Sequence, residues 1–450
     1  MSLALEELRH LAKAGEIDTV IVADTDMQGR LFGKRLTASH FLERASSGVA
    51  TCSVVLGWGQ DHSLDPGYRL TGWETGFPDF NSVPDLATFR RYAWFPRTAI
   101  VLCDARSPGG APIAVSPRQI LKAQLQRAEQ QGLAPFVASE LELFLLKETP
   151  DSADEKGYVN LQPKHRTLHP ETVIRTSEDE DYAADLRTAL EHSDIPVELV
   201  KAEYSPGQIE VNLAYAAALD AADRHVLMKT ACKELALRKG LIATFMAKWH
   251  HGFGGSSCHV HLSMRGPNGR SAFDQGDGKM TPTLRHFVGG LITYARDFFL
   301  FYAPTTNSYK RLVPNTFAPA RLHWGVDNRT VAFRIIGNGI AKRVENRVPG
   351  ADVNPYLVYA GMLASGLEGV RNKIEPPEEG LTGNAYAESG GIPIPRNLAE
   401  ATEMFAASPI VAATLGSEVQ AHYANFGRQT QAALEHKVTD AERRVLLLDI

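Results

Sequence analysis

The sequence predicts a protein of mixed helices and strands, built either from two domains or from one large domain with a smaller appendage. Its 450 residues exceed the roughly 250–300 residues at which a single hydrophobic core usually stops growing. The first third reads mainly as short strands, whereas later segments alternate between helical and strand-like patterns. Asp104–Ser116 contains Pro and Gly residues between these parts, so we expect two domains spanning residues 1–105 and 106–450.

Local patterns define the elements of the first part. Short segments rich in β-branched or apolar residues predict strands at Thr19–Ala23, Leu31–Leu36, Thr51–Leu56 and Ala99–Cys103. Helical spacing of apolar residues predicts helices at Leu3–Ala14 and Ala38–Ala45.

The second part begins with a helix that Ser116 and Pro117 start and Gly132 ends. Phe136–Leu146 is apolar enough for a central strand, and the polar segment Asp151–His169 reads as an exposed excursion. Two further helices are expected, one opened by Ser177–Asp181 and a long one over Ala216–Lys239.

Composition and charge exclude several classes of protein. The formal net charge of −5 gives no bulk attraction for nucleic acid or anionic membranes, so we expect neither as a partner. The best candidate for a membrane span, residues 289–301, is interrupted by Arg296 and Asp297, and the N-terminus lacks the pattern of a secretion signal. Four scattered cysteines without a C-x-x-C pair favour reduced thiols in a cytoplasmic protein.

Two acidic pairs are candidate metal ligands. In a strand, Glu140 and Glu142 share one face, and two carboxylates within a buried sheet need a compensating cation. A solvated edge strand is the alternative, but the leucines that alternate with them favour a buried sheet and hence a metal. Glu203 and Glu210 flank a Pro-Gly turn that can bring both to one point, although two surface glutamates beside a turn are the simpler interpretation.

Imidazole and guanidinium side chains are further candidates for binding a metal or anionic groups. His259 and His261 share a strand face after a Gly- and Ser-rich loop, which fits either satisfied core histidines or ligands. An arginine-rich stretch either forms exposed ion pairs or binds several anionic groups; it contains Arg311, Arg329, Arg334, Arg343 and Arg347. Oxygen-rich donors select Mg²⁺ or Mn²⁺, and with arginines and a glycine loop they indicate phosphoryl transfer.

The order of these motifs resembles the glutamine synthetase family over nearly the whole chain. The motifs are Asp26-Met-Gln-Gly-Arg-Leu-Phe-Gly-Lys34, Gly76-Phe-Pro-Asp79, Ser139-Glu-Leu-Glu142, Glu203-x5-Ile-Glu210, Thr244-Phe-Met-Ala-Lys248, His259-Val-His-Leu-Ser263, Asn307-Ser-Tyr-Lys-Arg-Leu-Val-Pro314, Asn328-Arg329, Arg343-Val-Glu-Asn-Arg347 and Asn354-Pro-Tyr356. The resemblance implies an α+β fold with a small β-grasp N-terminal domain. The larger catalytic domain would carry a curved antiparallel sheet flanked by helices. It also implies a homododecamer of two hexameric rings, with active sites between neighbouring subunits.

The resemblance further implies ATP as co-substrate and two or three Mg²⁺ or Mn²⁺ ions per active site. The ligands it implies are Glu142, Glu203 and Glu210 for the first metal and Glu140, His259 and Glu345 for the second. The implied ATP-contacting residues are Glu198, His261, Ser263, Arg334 and Arg343. Glutamate would be held by Arg311, Arg347 and the main chain of Gly255. Arg329 and Arg311 are the implied catalytic arginines, with Arg329 on the transferring phosphate.

The acceptor site departs from ammonia-using relatives. Phe317 stands where those relatives carry a glutamate that closes the site and deprotonates ammonium. Their ammonium-binding aspartate segment is replaced by Leu56–Asp61, which contributes Trp58 and Asp61 as candidate acceptor residues; Asp65 is a further alternative. We therefore expect a ligase that joins the γ-carboxylate of glutamate to an organic amine through γ-glutamyl phosphate. Ordinary glutamine synthetase is the alternative. An inactive, ligand-sensing relative is a weaker one, because all six candidate metal ligands are present.

Overall fold

Two sheets, one in each part of the chain, organise the computed structural model, which describes residues 5–44, 47–166, 170–276, 278–377 and 379–447. Helices pack against both sheets. The predicted mixture of helices and strands is confirmed. The ends of three expected segments, residues 3–4, residue 45 and residues 167–169, lie outside the described residues.

The first sheet lies wholly within the N-terminal part. Its strands are β1 (Thr19–Thr25), β2 (Leu31–Thr37), β3 (Val49–Cys52), β4 (Asp79–Pro84), β5 (Arg90–Arg91) and β6 (Thr98–Arg106), and the helices beside it are α1 (Leu5–Lys13) and α2 (Ala38–Arg44). The strand order is β2-β1-β6-β4-β3, with β5 beside β6. Leu8 and Phe41 of the helices pack on Val20 and Val101 of the sheet. The β-grasp assignment and the boundary at residue 105 stay predictions.

The second sheet carries the acidic and histidine motifs of the sequence on its central strands. Its strands are β7 (Ala134–Leu146), β8 (Val197–Ala202), β9 (Gln208–Leu213), β10 (Ala216–Ala217), β11 (Ile242–Thr244), β12 (Cys258–Arg265), β14 (Trp324–Val326), β15 (Phe333–Ile336) and β16 (Arg343–Asn346). Two short strands, β13 (Arg321–Leu322) and β17 (Ile392–Pro393), form a separate pair. The order is β14-β15-β16-β12-β7-β9-β8, with β10 and β11 also paired to β7. The pairs on either side of β7 are antiparallel.

The second part of the chain also contains twelve helices in the described ranges. They are α3 (Pro117–Gln130), α4 (Pro150–Glu155), α5 (Val173–Ser177), α6 (Glu180–Glu191), α7 (Ala218–Arg238), α8 (Pro282–Tyr294), α9 (Phe299–Tyr302), α10 (Pro355–Asn372), α11 (Leu398–Ala407), α12 (Pro409–Leu415), α13 (Ser417–Glu435) and α14 (Asp440–Leu446). Of these, α3, α6 and α7 pack directly on the curved sheet. Short 3-10 turns cover Ser53–Leu56, Leu86–Thr88, Ser308–Lys310 and Gly339–Ala341. α10 is buried along nearly its whole length and packs against α3 and α8.

Three predicted boundaries are wrong for a physical reason. The strand expected over Thr51–Leu56 ends at Cys52, because its partner strand begins at Asp79 and offers no further pairing. The long helix begins at Ala218 rather than Ala216, since Ala216 and Ala217 pair with β7. The helix expected from Ser177 begins at Glu180, after the separate short helix α5.

A buried ionic network joins the two parts of the chain. Arg118 of α3, which is 3% exposed, pairs with Asp85 and Asp104 of the first part at 2.9 and 2.6 Å. It also pairs with Asp223 of α7 at 2.9 Å. Such a guanidinium, satisfied from three sides, fixes the orientation of the first sheet on the catalytic part.

No helix in the described ranges has the length and apolar character that crossing a membrane requires. The cysteine prediction agrees with the geometry, in which Cys52, Cys103, Cys232 and Cys258 are all free.

Candidate active site

Three carboxylates meet beside the central strand β7. The register pairs Glu142 of β7 directly with Glu210 of β9, and Glu203 follows the end of β8. Oxygen atoms of these three residues, the carboxylate triad, lie within 4.8 Å of one another. The turn that returns the chain contains Gly207 at φ 75°, a conformation that glycine adopts without steric cost. The predicted hairpin therefore forms and gathers the three side chains.

The triad is largely buried, with Glu142 and Glu210 buried and Glu203 partly so. Glu142 accepts hydrogen bonds from Ser257 N at 2.8 Å and Gln208 Nε2 at 3.0 Å. Burial, and then the negative charge of Glu203, raises the pKa of Glu142. Burial also raises the pKa of Glu210 to about 9, against the opposing effect of Lys201. A divalent cation would reverse both shifts by favouring the ionised carboxylates.

The sequence reasoning missed Lys201, which reaches into the triad. Its ammonium donates to Glu203 and lies 3.6 Å from Glu210 Oε2. On its other side, Nζ lies 3.1 Å from Glu171 Oε1. Side chains alternate along β8, so the shared parity of Lys201 and Glu203 was a signal that could have identified it.

A second group contains two carboxylates and two imidazoles. The register places His259 opposite Glu140 of β7 and His261 opposite Glu345 of β16. His259 Nδ1 lies 3.3 Å from Glu140 and 3.6 Å from Glu345, and His261 Nε2 lies 2.9 Å from Glu140. Glu140, His261 and Glu345 form a group of potential ligand atoms within 4.8 Å. Both imidazoles therefore lie close to Glu140 and Glu345, although only His259 was predicted to bind a metal together with these two acids.

The positions of the ring protons distinguish the two imidazoles. Arg343 Nε donates to His261 Nδ1 at 3.0 Å, and a guanidinium has donors only. Nδ1 of His261 is therefore the acceptor, and Nε2 carries the proton that it donates to Glu140 at 2.9 Å. A protonated nitrogen cannot bind a metal. Nδ1 of His259 also faces carboxylates, but among the described residues no guanidinium donates to its other nitrogen, so its proton can move there and leave Nδ1 free for a metal, which makes His259 the better ligand.

The surrounding charges keep these acids ionised. Burial raises the pKa of Glu140, but hydrogen bonds with His259 and His261 outweigh it and hold that pKa well below its usual range. For Glu345, the effect of burial is exceeded by His259, Arg347 and His261, which bring the pKa to about 2. Burial, and then the charge of Arg347, lowers the pKa of His259 to about 4. A neutral imidazole between two carboxylates is the form that coordinates a cation.

Two of the predicted glutamate-binding groups are packed against one another. Arg311 is 5% exposed and donates to the carbonyl oxygens of Val348 and Arg347 at 2.9 and 3.2 Å. A Cβ at Gly255 would lie 2.6 Å from Arg311 Cγ and 2.8 Å from Ala247 O. Only glycine therefore fits at position 255, where its main chain lies against the arginine.

Two of the remaining predicted arginines line an open cleft of about 580 Å³. Arg329 and Arg334 are among its walls, together with Asp327 and Thr382. Arg334 also donates to Glu345 at 3.0 Å, and Arg347 donates to the other oxygen of Glu345. The cleft therefore opens beside the second group of acids and offers cationic donors to an anionic ligand.

Two predicted ATP contacts differ in their placement. Ser263 lies on β12 at the same parity as His259 and His261, so it shares their face. Glu198 is exposed at the irregularity between Val197 and Leu199 and is outside both groups of acids. The structure therefore brings Ser263, but not Glu198, next to the central chemistry.

The comparisons with known proteins agree with this geometry. Residues 114–446 match the family described as glutamine synthetase, catalytic domain. The chain belongs to the glutamine synthetase family. The resemblance predicted from the sequence is thereby confirmed.

Within the glutamine synthetase family, several relatives carry names of glutamate–amine ligases, and two of them follow. A gamma-glutamylethanolamide synthetase of Streptomyces coelicolor is 40% identical over 443 residues, which cover 98% of this chain and 95% of the relative. A glutamate–isopropylamine ligase of a Pseudomonas species is 36% identical over 427 residues, which cover 93% of each chain. The solved structure of a GmaS/ADP complex superposes with a TM-score of 0.84 at 29% identity and covers 98% of this chain and 99% of its own.

The candidate acceptor residues of this glutamine synthetase-family chain lie in two places. Phe317 is 63% exposed on a loop that Tyr386 contacts through a hydrogen bond to Ala318. Trp58 instead donates from Nε1 to Asp26 at 3.1 Å, and Asp61 accepts from Ser63 N at 3.2 Å. These hydrogen bonds tie Trp58 and Asp61 to the N-terminal part rather than to the Phe317 loop.

Proposed function

We propose that this chain is an ATP-dependent ligase that joins the γ-carboxylate of glutamate to an organic amine. The observation that carries the choice of an organic amine is the exposed ring of Phe317, which follows Arg311 by six positions. The names of the two relatives above, an ethanolamide synthetase and an isopropylamine ligase, support the same choice.

The donor sets fit divalent cations, and Mg²⁺ or Mn²⁺ is the proposed identity, with two or three ions per site. Glu142, Glu203 and Glu210 would hold one ion through carboxylate oxygens, which hard cations prefer. Glu140, Glu345 and His259 would hold a second. When bound, the ions neutralise phosphate charge and so favour transfer of the phosphoryl group.

The arginines around the cleft supply the remaining positive charge. Arg329 and Arg334 line the cleft, where planar guanidiniums suit the terminal phosphates of ATP. His261, Ser263 and Arg343 would contact other parts of the nucleotide, and the exposed Glu198 is proposed as a further ATP contact. Glutamate would lie near Arg311 and Arg347, with the main chain of Gly255 against it.

The proposed reaction has two steps. A γ-carboxylate oxygen of glutamate attacks the γ-phosphorus of ATP, and ADP leaves, which gives γ-glutamyl phosphate. The amine nitrogen then attacks the acyl carbon, phosphate leaves with the C–O bonding pair, and the nitrogen loses one proton. Arg329 stabilises charge on the transferring phosphoryl group, while Arg311 orients glutamate beside the triad. Water must be excluded, because it would hydrolyse the acyl phosphate.

Acceptor specificity is proposed to involve Phe317, Trp58 and Asp61. The hydrogen bonds of Trp58 and Asp61 hold them to the N-terminal part, so we propose that they approach the Phe317 loop of a neighbouring subunit. A homododecamer of two hexameric rings provides such neighbours. A cytoplasmic location, where ATP and glutamate are available, completes the proposal.

Phosphate release in the presence of ATP, Mg²⁺ and glutamate, measured against ammonium and a panel of amines, tests the proposed reaction. The panel contains an alkylamine, ethanolamine, a polyamine and an arylamine. We expect an organic amine to give γ-glutamyl product at a higher kcat/KM than ammonium, and Glu142→Ala to give none. Efficient glutamine formation with no better organic acceptor would indicate ordinary glutamine synthetase. Ligand binding without any turnover would indicate a sensor.

A further inference from the structure

Lys201 has contacts that the proposed reaction does not use. Its ammonium donates to Glu203 and lies 3.6 Å from Glu210 Oε2, so it contacts two of the three members of the carboxylate triad. The register also places Lys201 directly opposite Glu210. A protonated lysine thus lies where the structure otherwise offers only carboxylate oxygens to a cation.

Glu171 gives the same ammonium a second position. Its Oε1 lies 3.1 Å from Lys201 Nζ, and its side chain is 67% exposed, against 15% for Glu203. Lys201 therefore lies between a buried acidic group and an exposed carboxylate. Because lysine has a flexible four-carbon stem, its charge can shift toward Glu171 without any movement of the backbone.

We propose that Lys201 is a built-in competitor for the cation of the carboxylate triad, with Glu171 as its alternative partner. The ammonium neutralises part of the triad when no metal is bound, and an entering divalent ion displaces it toward Glu171. This inference rests on the metal site of the proposed function and adds a residue that sets the metal affinity. The proposal requires the Lys201 ammonium and the divalent cation to repel each other at the largely buried triad, where screening by solvent is weak.

Mn²⁺ titration of the full-length, metal-stripped protein in the absence of substrates tests the proposal. Lys201→Met should bind the triad Mn²⁺ at least about tenfold more tightly, the order of change seen when groups next to metal ligands are altered. Lys201→Arg keeps the charge and should bind more nearly like the wild type. Glu171→Gln removes the alternative partner and should weaken binding, but it should have no effect in the Lys201→Met background.

Lys239→Met is the matched control, because Lys239 pairs with Asp185 at 2.7 Å and is 27% exposed, close to the 32% of Lys201. Its Mn²⁺ affinity should equal that of the wild type. Unchanged or weaker binding by Lys201→Met, or the absence of Mn²⁺ binding in the wild type, would overturn the proposal. Product formation from the amine panel is a separate measurement, so a failed ligase assay with tighter Mn²⁺ binding would refute only the proposed reaction.

Discussion

The hydroxyl of Tyr386 donates a hydrogen bond to the carbonyl oxygen of Ala318 at 3.1 Å, and it thereby anchors the loop that presents Phe317. Two residues of that loop, Asn315 and Phe317, have φ values of 63° and 58°. This left-handed conformation costs an aromatic residue free energy, so the loop needs contacts that hold it.

We expect Tyr386→Phe to loosen the loop while leaving glutamate and ATP binding nearly unchanged. One hydrogen bond contributes about 0.5–1.5 kcal/mol. At ~25 °C this corresponds to a twofold to tenfold loss in the ratio of ordered to loosened loop. The loss should appear as phosphate release without amide formation, since a looser loop admits water to the acyl phosphate. The ratio of amide formed to phosphate released measures this effect. An equal ratio in Tyr386→Phe and in the wild type would contradict the anchoring role.

Phe317→Glu should shift acceptor preference toward ammonium or cationic amines. The substitution adds a negative charge and a base, and it removes an apolar ring that favours carbon-bearing amines by roughly 25 cal/mol per Å² of buried surface. We expect the ratio of kcat/KM for ethanolamine to that for ammonium to fall by about tenfold or more. Phe317→Leu, which keeps an apolar side chain, is the control. An unchanged ratio in Phe317→Glu would exclude this residue from acceptor selection.

The two histidines should differ in their effect on metal stoichiometry. His259→Ala should lose one Mn²⁺ per chain, because its Nδ1 lies between Glu140 and Glu345 and no guanidinium of the described residues fixes the position of its proton. His261→Ala should keep that ion and raise the KM for ATP, since Arg343 fixes the proton of His261 toward Glu140. Equilibrium dialysis with Mn²⁺ measures the stoichiometry. Loss of the ion in His261→Ala alone would reverse the assignment.

Arg347→Ala should raise the KM for glutamate more than the KM for ATP. The guanidinium is 3% exposed and suits the α-carboxylate of the substrate through two parallel hydrogen bonds. Arg347→Lys keeps the charge but loses this geometry, so it should recover only part of the affinity. Initial-rate kinetics with each substrate varied in turn provide the measurement. A selective effect on ATP would place Arg347 at the nucleotide.

In the metal-free protein, Glu210 should contribute a loss of stability as the pH rises from about 5 to about 9. Burial raises the folded-state pKa of Glu210 to about 9, so the folded state binds more protons than the unfolded state between the two pKa values. Its contribution is complete below the unfolded pKa and is lost as the pH rises through the folded one. Glu210→Gln should flatten the curve of Tm against pH. Excess Mg²⁺ should flatten it as well, since the metal binds the ionised form, and parallel curves for wild type and Glu210→Gln would contradict this origin.

Much of the fold could be predicted because hydrophobic periodicity and the residues that begin and end helices agree within each element. The apolar alternation of Phe136–Leu146 and the Ser116–Gly132 helix signals match β7 and α3 within a few residues. The failures occur where long-range pairing overrides local preference. The β-branched run after Cys52 lacks a partner strand, and Ala216 pairs with Val137 despite the helical preference of alanine.

The candidate site could be predicted as a set of residue types, but its internal contacts could not. Parity alone places Glu140 with Glu142, and His259 with His261, on common faces. Registers between distant strands decide that Glu142 opposes Glu210 and that His261 opposes Glu345. The roles inferred for Lys201 and Tyr386 depend on such long-range geometry, which no local pattern encodes.

The positive φ of Phe317 limits how acceptor choice can change during evolution. A new residue at this position must be compatible with the backbone conformation, whatever its effect on acceptor binding. Glycine and asparagine relieve the strain but remove the ring, whereas β-branched side chains fit this conformation poorly. Few single mutations can therefore both keep the loop folded and recognise a different amine. New acceptor specificities should arise more readily through paired changes, in which a residue such as Tyr386 first reshapes the loop and position 317 then adapts to it.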